Sequence, residues 1–341
     1  MFLPLILSTM RMSKLLVKRS LRSSVASSLG LLLGMANNVI LKETLTVFVY
    51  HDTSEHPSEF SHRYNLNVKP DIFDYQLEFI KSNFNIISPD NIDEAALPPK
   101  AALITFDDGF RSFFLNAVPI LEKHGVPAII FLNMEAVLGK VFWAGLLTYL
   151  CTKRKDFAAF MGRNTDINPN VPLFLSCDRE SVEAYLKQLE YPIDNEVIQY
   201  VGAFASKEDL ERASKKEKLF FGNHLFNHYV PRLMSDEDFL RSFSENEAVL
   251  RQYSNYLKMF SFPFGQPNSC FLPGQIDLLK SQGVKKVFSS SGRVNGGRHQ
   301  FCLDRLALTS FHNSPSKIWF QIFQQSLRKR LRISKHKEYS C

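Results

Sequence analysis

Residues 101–132 read AALITFDDGFRSFFLNAVPILEKHGVPAIIFL, and the order of patterns in this stretch decides the fold. Ala101 to Phe106 is a short apolar run of strand length, and Phe114 to His124 has helical spacing. Gly125 closes that helix, and Pro127 opens a second apolar run from Ala128 to Leu132. A strand, a helix and a second strand within about thirty residues form a parallel βα unit.

The same alternation extends outward in both directions. Leu45 to Tyr50 is a β-branched and aromatic run that predicts a buried strand, and Ile72 to Asn83 carries helical spacing. Downstream, strands are expected at Lys218 to Gly222, Lys258 to Phe262 and Val284 to Ser289, with helices from about Asp236 to Tyr256 and from Gly274 to Gln282. Residues 139–216 lack strand signals and carry helical pieces at Arg179 to Glu190 and Lys207 to Ser214, so they read as a helical insertion. The expected class is α/β.

Composition allows this architecture. The 341 residues are 45% hydrophobic and 22% charged, enough to bury one large core and to exclude disorder as the main state. The 30 Phe residues are dispersed in apolar runs and read as core filler, and no repeat period is present. Five widely scattered cysteines (Cys151, Cys177, Cys270, Cys302 and Cys341) argue against a disulfide framework. Part of the net charge of +7 is local, from Lys14 to Arg22 and from Arg328 to Lys337. With no zinc-finger spacing and no RNA-binding signature, nucleic acid is not expected as a partner.

Residues 1–42 form a basic and apolar leader that is too interrupted for a spanning helix and lacks a clear cleavage site. A peripheral membrane contact through the basic termini is expected, in a membrane-associated or cytoplasmic protein, with export as the alternative. Residues 43–312 then form the main domain, with the insertion at about 139–216, and 313–341 a C-terminal helix with a basic tail. Oligomeric state is left open.

What sits at the strand ends points to chemistry. Leu45 to Tyr50 runs into His51 and Asp52; Ala101 to Phe106 into Asp107, Asp108 and Gly109; Lys218 to Gly222 into Asn223 and His224; Lys258 to Phe262 into Pro263, Phe264 and Gly265. The carboxyl ends of parallel strands share one face, so these residues should converge. His224 and His228 are four apart, and on a helical turn both rings would face one metal ion. Adjacent Asp107 and Asp108 must point apart, which frees one to bind metal and the other to handle protons. Two His and one carboxylate leave open positions for water and substrate, a set suited to hydrolysis. His56, His62, His124 and His299 read as surface residues.

Thr105-Phe106-Asp107-Asp108-Gly109 matches the T-F-D-D-G motif of the polysaccharide deacetylases, and Ala117 to Leu132 resembles the helix and strand that follow it there. Gly222-Asn223-His224-Leu225-Phe226-Asn227-His228 resembles the second motif, H-S/T-x-x-H, and Phe262-Pro263-Phe264-Gly265 is similar to the third, usually P-Y-G. The likeness covers about Leu45 to Leu308. It implies a distorted (β/α) barrel of about seven parallel strands and a hydrolase that removes N-acetyl groups from amino sugars of a cell-envelope, capsular or lipid-linked glycan.

By that resemblance, Asp108, His224 and His228 hold a divalent ion, usually zinc, Asp107 is the general base, and the Phe264 N–H is an oxyanion donor. Pro263, Gly265 and Trp143 are the candidate substrate-binding residues. Two departures stand out: Leu225 replaces a Ser/Thr that would brace the metal loop, and Ser261 replaces the Arg that usually orients the base. No D-x-x-D-W or L-x-H segment supplies the usual late acid. Tyr50-His51-Asp52 resembles the Y-H-D segment of the poly-N-acetylglucosamine branch and makes His51 the expected acid, with His312 the competitor. Two other classes compete: a glycan-binding homologue weakened in catalysis, motivated by the two departures, and a non-haem iron oxygenase, whose usual motif order is absent.

Overall fold

The computed structural model describes residues 41–93, 97–164, 172–296 and 300–332. Nearly all of the leader, His299 and the end of the basic tail lie outside the described residues.

The chain runs β1 (Thr44–Tyr50), α1 (Glu59–Arg63), α2 (Pro70–Asn83), β2 (Asn85–Ile86), β3 (Ala101–Asp108), α3 (Val118–His124) and β4 (Ala128–Leu132). Five further helices follow: α4 (Met134–Val137), α5 (Trp143–Lys153), α6 (Lys155–Asn164), α7 (Arg179–Leu186) and α8 (Asp194–Val201). Then come α9 (Lys207–Ser214), β5 (Leu219–Asn223), α10 (Asp236–Leu250), β6 (Tyr256–Ser261) and α11 (Pro273–Ser281). The chain ends with β7 (Val287–Phe288), β8 (Asn295–Gly296), β9 (Cys302–Leu303), β10 (Arg305–Ala307) and α12 (Pro315–Arg332).

The strands lie in the order β10-β1-β3-β4-β5-β6-β7-β9, parallel at every step. β9 and β10 are the two halves of one stretch broken only at Asp304. Its first half pairs with β7 and its second with β1, so the stretch closes a seven-member ring. β2 extends the sheet beside β3, and β8 pairs antiparallel with β1. The fold is a distorted (β/α) barrel with a helical insertion, as the family resemblance implies and in agreement with the alternation of strands and helices.

Alternation along each strand sorts side chains between two cores. Leu45, Val47, Ala101, Leu103, Ile129, Phe131, Met259, Phe288 and Leu303 fill the barrel interior. Their neighbours Phe48, Tyr50, Ala102, Ile104, Phe106, Ile130 and Leu132 face outward beneath α2, α3 and α12. Gly222 lies opposite Phe131, where a Cβ would come within 2.4 Å of that ring.

Several elements depart from the expected limits. The helix expected to run to Tyr256 ends at Leu250, because Tyr256 must enter β6 to pair with Phe221. The helix expected from Phe114 begins with a π-type turn, Phe113–Ala117; Pro119 has no N–H to donate to the preceding turn. The late strand through Arg305 carries no apolar run around Asp304-Arg305, and periodicity does not reveal it. Among the described residues, Cys151, Cys177 and Cys270 are free thiols and Cys302 is disulfide-bonded, which is not a disulfide framework. Among the described residues, no helix is long and apolar enough to cross a membrane.

Candidate active site

The first motif is explained residue by residue. Thr105 and Asp107 continue the inward-facing register of Ala101 and Leu103. The Thr105 hydroxyl donates to the Phe48 carbonyl at 2.8 Å, tying β3 to β1. Phe106 faces the other way and packs against Tyr50, Phe73 and Phe113. At Asp108 the backbone turns left-handed, with φ 72°, which swings its carboxylate away from that of Asp107. Gly109 follows at φ 96°, where a Cβ would also meet Leu132 at 2.9 Å.

Asp107 is buried within the top of the barrel and held by two guanidinium hydrogen bonds. Arg305 Nη1 and Nη2 donate to its two carboxylate oxygens at 2.7 and 2.6 Å. Arg305 is itself 1% exposed and also donates to the Ser289 carbonyl and the Ser290 hydroxyl. Its register partner is the inward-facing Val47, which is why the side chain points to the barrel axis. The expectation that Asp107 lacks an orienting arginine is therefore corrected: Ser261 stands where the motif would place one, and β10 supplies it instead. Burial pushes the Asp107 carboxyl up, and Arg305 together with His224 and His51 more than offsets this, leaving it below the usual carboxylate range.

Asp108 faces the two histidines. Its Oδ1 lies 3.4 Å from His224 Nε2 and 3.2 Å from His228 Nε2. Burial raises the Asp108 carboxyl, but contact with both imidazoles holds it far below the ordinary value; burial also lowers His228. The three are the one group among the described residues whose His, Cys, Asp and Glu ligand atoms cluster tightly enough to hold a metal. Ligands about 2.0–2.1 Å from a tetrahedral zinc lie about 3.3 Å apart, so these separations fit one. His224 Nδ1 lies 2.7 Å from the Ser261 carbonyl, a contact that places the proton on Nδ1 and leaves Nε2 free to ligate.

The two histidines are not on a helical turn, contrary to the sequence expectation. Residues 224–228 form a loop in which Leu225 (φ 61°) and His228 (φ 55°) are left-handed, and these bends bring the ring centroids to 4.8 Å. Asn223 Oδ1 accepts from the Leu225 N–H, and the Ser242 hydroxyl and Asn227 Oδ1 accept from the Phe226 and Tyr229 N–H groups. Asn246 links Asn223 to the Leu132 carbonyl and accepts from the Met134 N–H, while Asn133 donates to the Asp108 carbonyl. This amide network braces the loop where a hydroxyl at residue 225 was expected to, and sequence reasoning did not single it out. Strained backbone is concentrated here: Asp108, Leu225, His228 and Phe264 are four of the seven non-glycine residues with positive φ among those described.

His51 follows β1, its Nε2 3.9 Å from Asp107 Oδ2 and its side chain 24% exposed. The next residue, Asp52, accepts from the Ser61 and Ser112 hydroxyls, both at 2.6 Å, and pins the loop that carries His51. Phe264 (φ 60°) follows β6, with its ring centroid 4.9 Å from that of His228. Among the described residues its N–H donates to no protein acceptor. Pro263 is buried beside it, and Gly265 sits where a Cβ would come within 2.5 Å of Ser290 Oγ.

Other expected residues lie elsewhere. Trp143, at the start of α5, is buried against Tyr229 rather than presented to solvent. His312 is buried with Nδ1 accepting from the Thr309 N–H at 2.9 Å, and burial pushes it down to about 4. It makes no contact with the aspartates or the histidine pair. His56 and His62 are exposed, whereas His124 is partly buried and paired with Asp74.

The sequence profile of the polysaccharide deacetylase family matches residues 94–154, a span that includes Thr105 to Gly109. No curated protein matches the chain. Among solved structures, IcaB from Ammonifex degensii has a TM-score of 0.56 at 17% identity, covering 82% of this chain and 97% of that one. A de-N-acetylase from Aggregatibacter actinomycetemcomitans has a TM-score of 0.55 at 16% identity, covering 82% and 100%. The deacetylase PplD of Streptococcus pyogenes, solved with acetate, has a TM-score of 0.51 at 17% identity, covering 84% and 99%. The resemblance drawn from the sequence thus holds in both profile and fold, and at these identities the structural likeness establishes the fold alone.

Proposed function

We propose that this chain is a metal-dependent hydrolase that removes acetyl groups from N-acetylated amino sugars in a cell-envelope, capsular or lipid-linked glycan. One observation carries the reading: a buried Asp-His-His cluster of metal-ligand spacing stands beside a second carboxylate, Asp107, that a buried arginine holds in its charged form.

Asp108, His224 and His228 would hold the ion, with zinc favoured by the donor set and the ligand separations. When bound, it supplies Lewis acidity and lowers the pKa of a coordinated water to about 7. Asp107 takes a proton from the attacking water, and Arg305 fixes which way its oxygens face. The Phe264 N–H donates to the carbonyl oxygen of the acetamide as negative charge develops there. His51, at the more open edge of the site, gives a proton to the departing sugar amine. The products are acetate and a free amino sugar.

The competing reading of a weakened binding homologue rested on Leu225 and Ser261. Arg305 and the Asn223–Asn246 network provide what those two positions lack, which favours the hydrolase. The deciding experiment is acetate release from a panel of N-acetylated glycans before and after chelation and zinc restoration. No release from any glycan by metal-loaded protein would reject the proposal.

We also infer that the basic terminal segments hold the protein peripherally at an anionic membrane surface, with export as the alternative. Deleting residues 1–41 should then release it from membrane fractions. A mature N-terminus cut within that segment would show export instead.

A further inference from the structure

Strand β7 runs into Ser289-Ser290-Ser291 at the carboxyl face of the sheet, where the site residues stand. The outer two hydroxyls donate to Asp304 Oδ1, and the Ser289 N–H donates to the Leu303 carbonyl at 2.9 Å. Asp304 is 4% exposed, and Asn295 binds its backbone N–H and carbonyl. These contacts anchor the three serines to the stretch that carries Arg305.

Ser290, between them, touches both polar arms of the site. Its Oγ accepts from Arg305 Nη2 at 3.0 Å, and the same nitrogen donates to Asp107 Oδ2 at 2.6 Å. Arg305 Nη1 serves Asp107 Oδ1 and, at 3.5 Å, Thr105 Oγ1, while Nε serves the Ser289 carbonyl. All five guanidinium hydrogens therefore have acceptors, and Ser290 takes one that nothing else reaches. On its other side, the Ser290 N–H donates to the Gly265 carbonyl at 2.7 Å, and its carbonyl accepts from Gln266 Nε2. A Cβ on Gly265 would come within 2.9 Å of the Ser290 nitrogen, so the two backbones are in contact. Gly265 directly follows Phe264, the oxyanion donor of the proposed reaction.

In that reaction Asp107 acts on the attacking water and the Phe264 N–H on the carbonyl oxygen, so both must be aligned on one acetamide carbon. A small error in their spacing costs rate. We propose that Ser290 is a positioning residue that couples these two arms: its hydroxyl sets the plane of Arg305, and so the direction of Asp107, while its backbone holds the Phe264-Gly265 turn. This rests on the hydrolase reading and assigns how that site is held.

The test has two readouts on the full chain. In urea unfolding, Ser290→Ala should lower the midpoint, because a buried guanidinium hydrogen loses its acceptor. In the Arg305→Lys background, which lacks the second nitrogen, the same substitution should cost less. Equal losses in both backgrounds would overturn the coupling to Arg305, whatever the protein's activity. In kinetics, the zinc-loaded chain is given N-acetylglucosamine, its dimer and its hexamer, and constants are taken on the fastest. Ser290→Ala should lower kcat by about tenfold or more with KM within about twofold and zinc content unchanged, as for a group that acts on alignment and not on binding. Ser290→Thr keeps the hydroxyl and should restore most of the rate. Wild-type kcat in Ser290→Ala would make the residue structural only and overturn the inference while leaving the hydrolase reading intact. Ser290→Thr as slow as Ser290→Ala would overturn the role of the hydroxyl. Acetate release by wild type from none of the three would overturn the hydrolase reading and this inference with it.

Discussion

Arg305 grips both carboxylate oxygens of Asp107 from 198 residues away in sequence, with neither group exposed by more than 2%. The pair fixes the orientation of Asp107 and opposes the upward push that burial gives its carboxyl.

Breaking this pair should harm both stability and rate. Arg305→Met leaves a buried charge without its partner and should cost about 3–5 kcal/mol. The double variant Arg305→Met with Asp107→Asn should recover part of that loss, because no lone charge remains. Arg305→Lys should fold better yet turn over more slowly, since an ammonium cannot make the two-pronged contact. Denaturant midpoints and kcat for the set check this. Additive losses in the double variant would show that the pair is not coupled.

Asp108→Asn, His224→Ala and His228→Ala should each lose bound metal, because two protein ligands hold an ion poorly where three are needed. The fold should survive in the single variants. Metal content of the purified proteins, with circular dichroism alongside, is the measurement. Full occupancy in all three would remove the site.

Asp107→Asn and His51→Ala should bind metal nearly normally yet lose about 10²-fold or more in rate, the range that acid–base groups supply. The pH–rate profile should be bell-shaped, and replacing His51 should remove or displace its alkaline limb, since an acid works only while protonated. His312→Ala should be much milder. A His312 variant that is inactive while still holding metal would transfer the acid role to that residue.

His312 predicts a pH dependence of stability instead. Burial depresses its folded-state pKa from 6.5 to about 4, so the unfolded chain takes up the proton first as pH falls. Stability from this group is complete above about pH 6.5 and declines between there and about pH 4, by roughly 3 kcal/mol in all at about 1.4 kcal/mol per unit. His312→Asn should flatten that part of the curve. Equal slopes of urea midpoint against pH in wild type and variant, between pH 7 and 4.5, would refute the assignment.

Much of the site was legible in the sequence because it is built from strand ends. The runs Leu45–Tyr50, Ala101–Phe106 and Ala128–Leu132 have the alternation and bounds of strands, and parallel strands must present their carboxyl ends on one face. That rule alone gathers His51, Asp107, Asp108, His224 and Phe264, residues up to 213 positions apart. Identity at each end then supplies the chemistry, since aspartate and histidine are the types that can ligate a metal or move a proton.

The remainder depended on contacts that no local pattern encodes. Arg305 lies in a strand whose Asp304-Arg305 centre hides it from any apolar periodicity, and its role appears only when β10 pairs with β1 and turns the side chain into the barrel. The spacing of His224 and His228 predicts a helical turn because spacing is blind to φ, and left-handed Leu225 and His228 give the same convergence by another route. The bracing of that loop comes from Asn223, which is held by Asn246 of α10, and from the Ser242 hydroxyl on the same helix. Sequence determined which residues stand at the active face, because strand direction is a property of the chain. Tertiary structure decided which of them touch, because a hydrogen bond depends on distance in space and not on distance along the backbone.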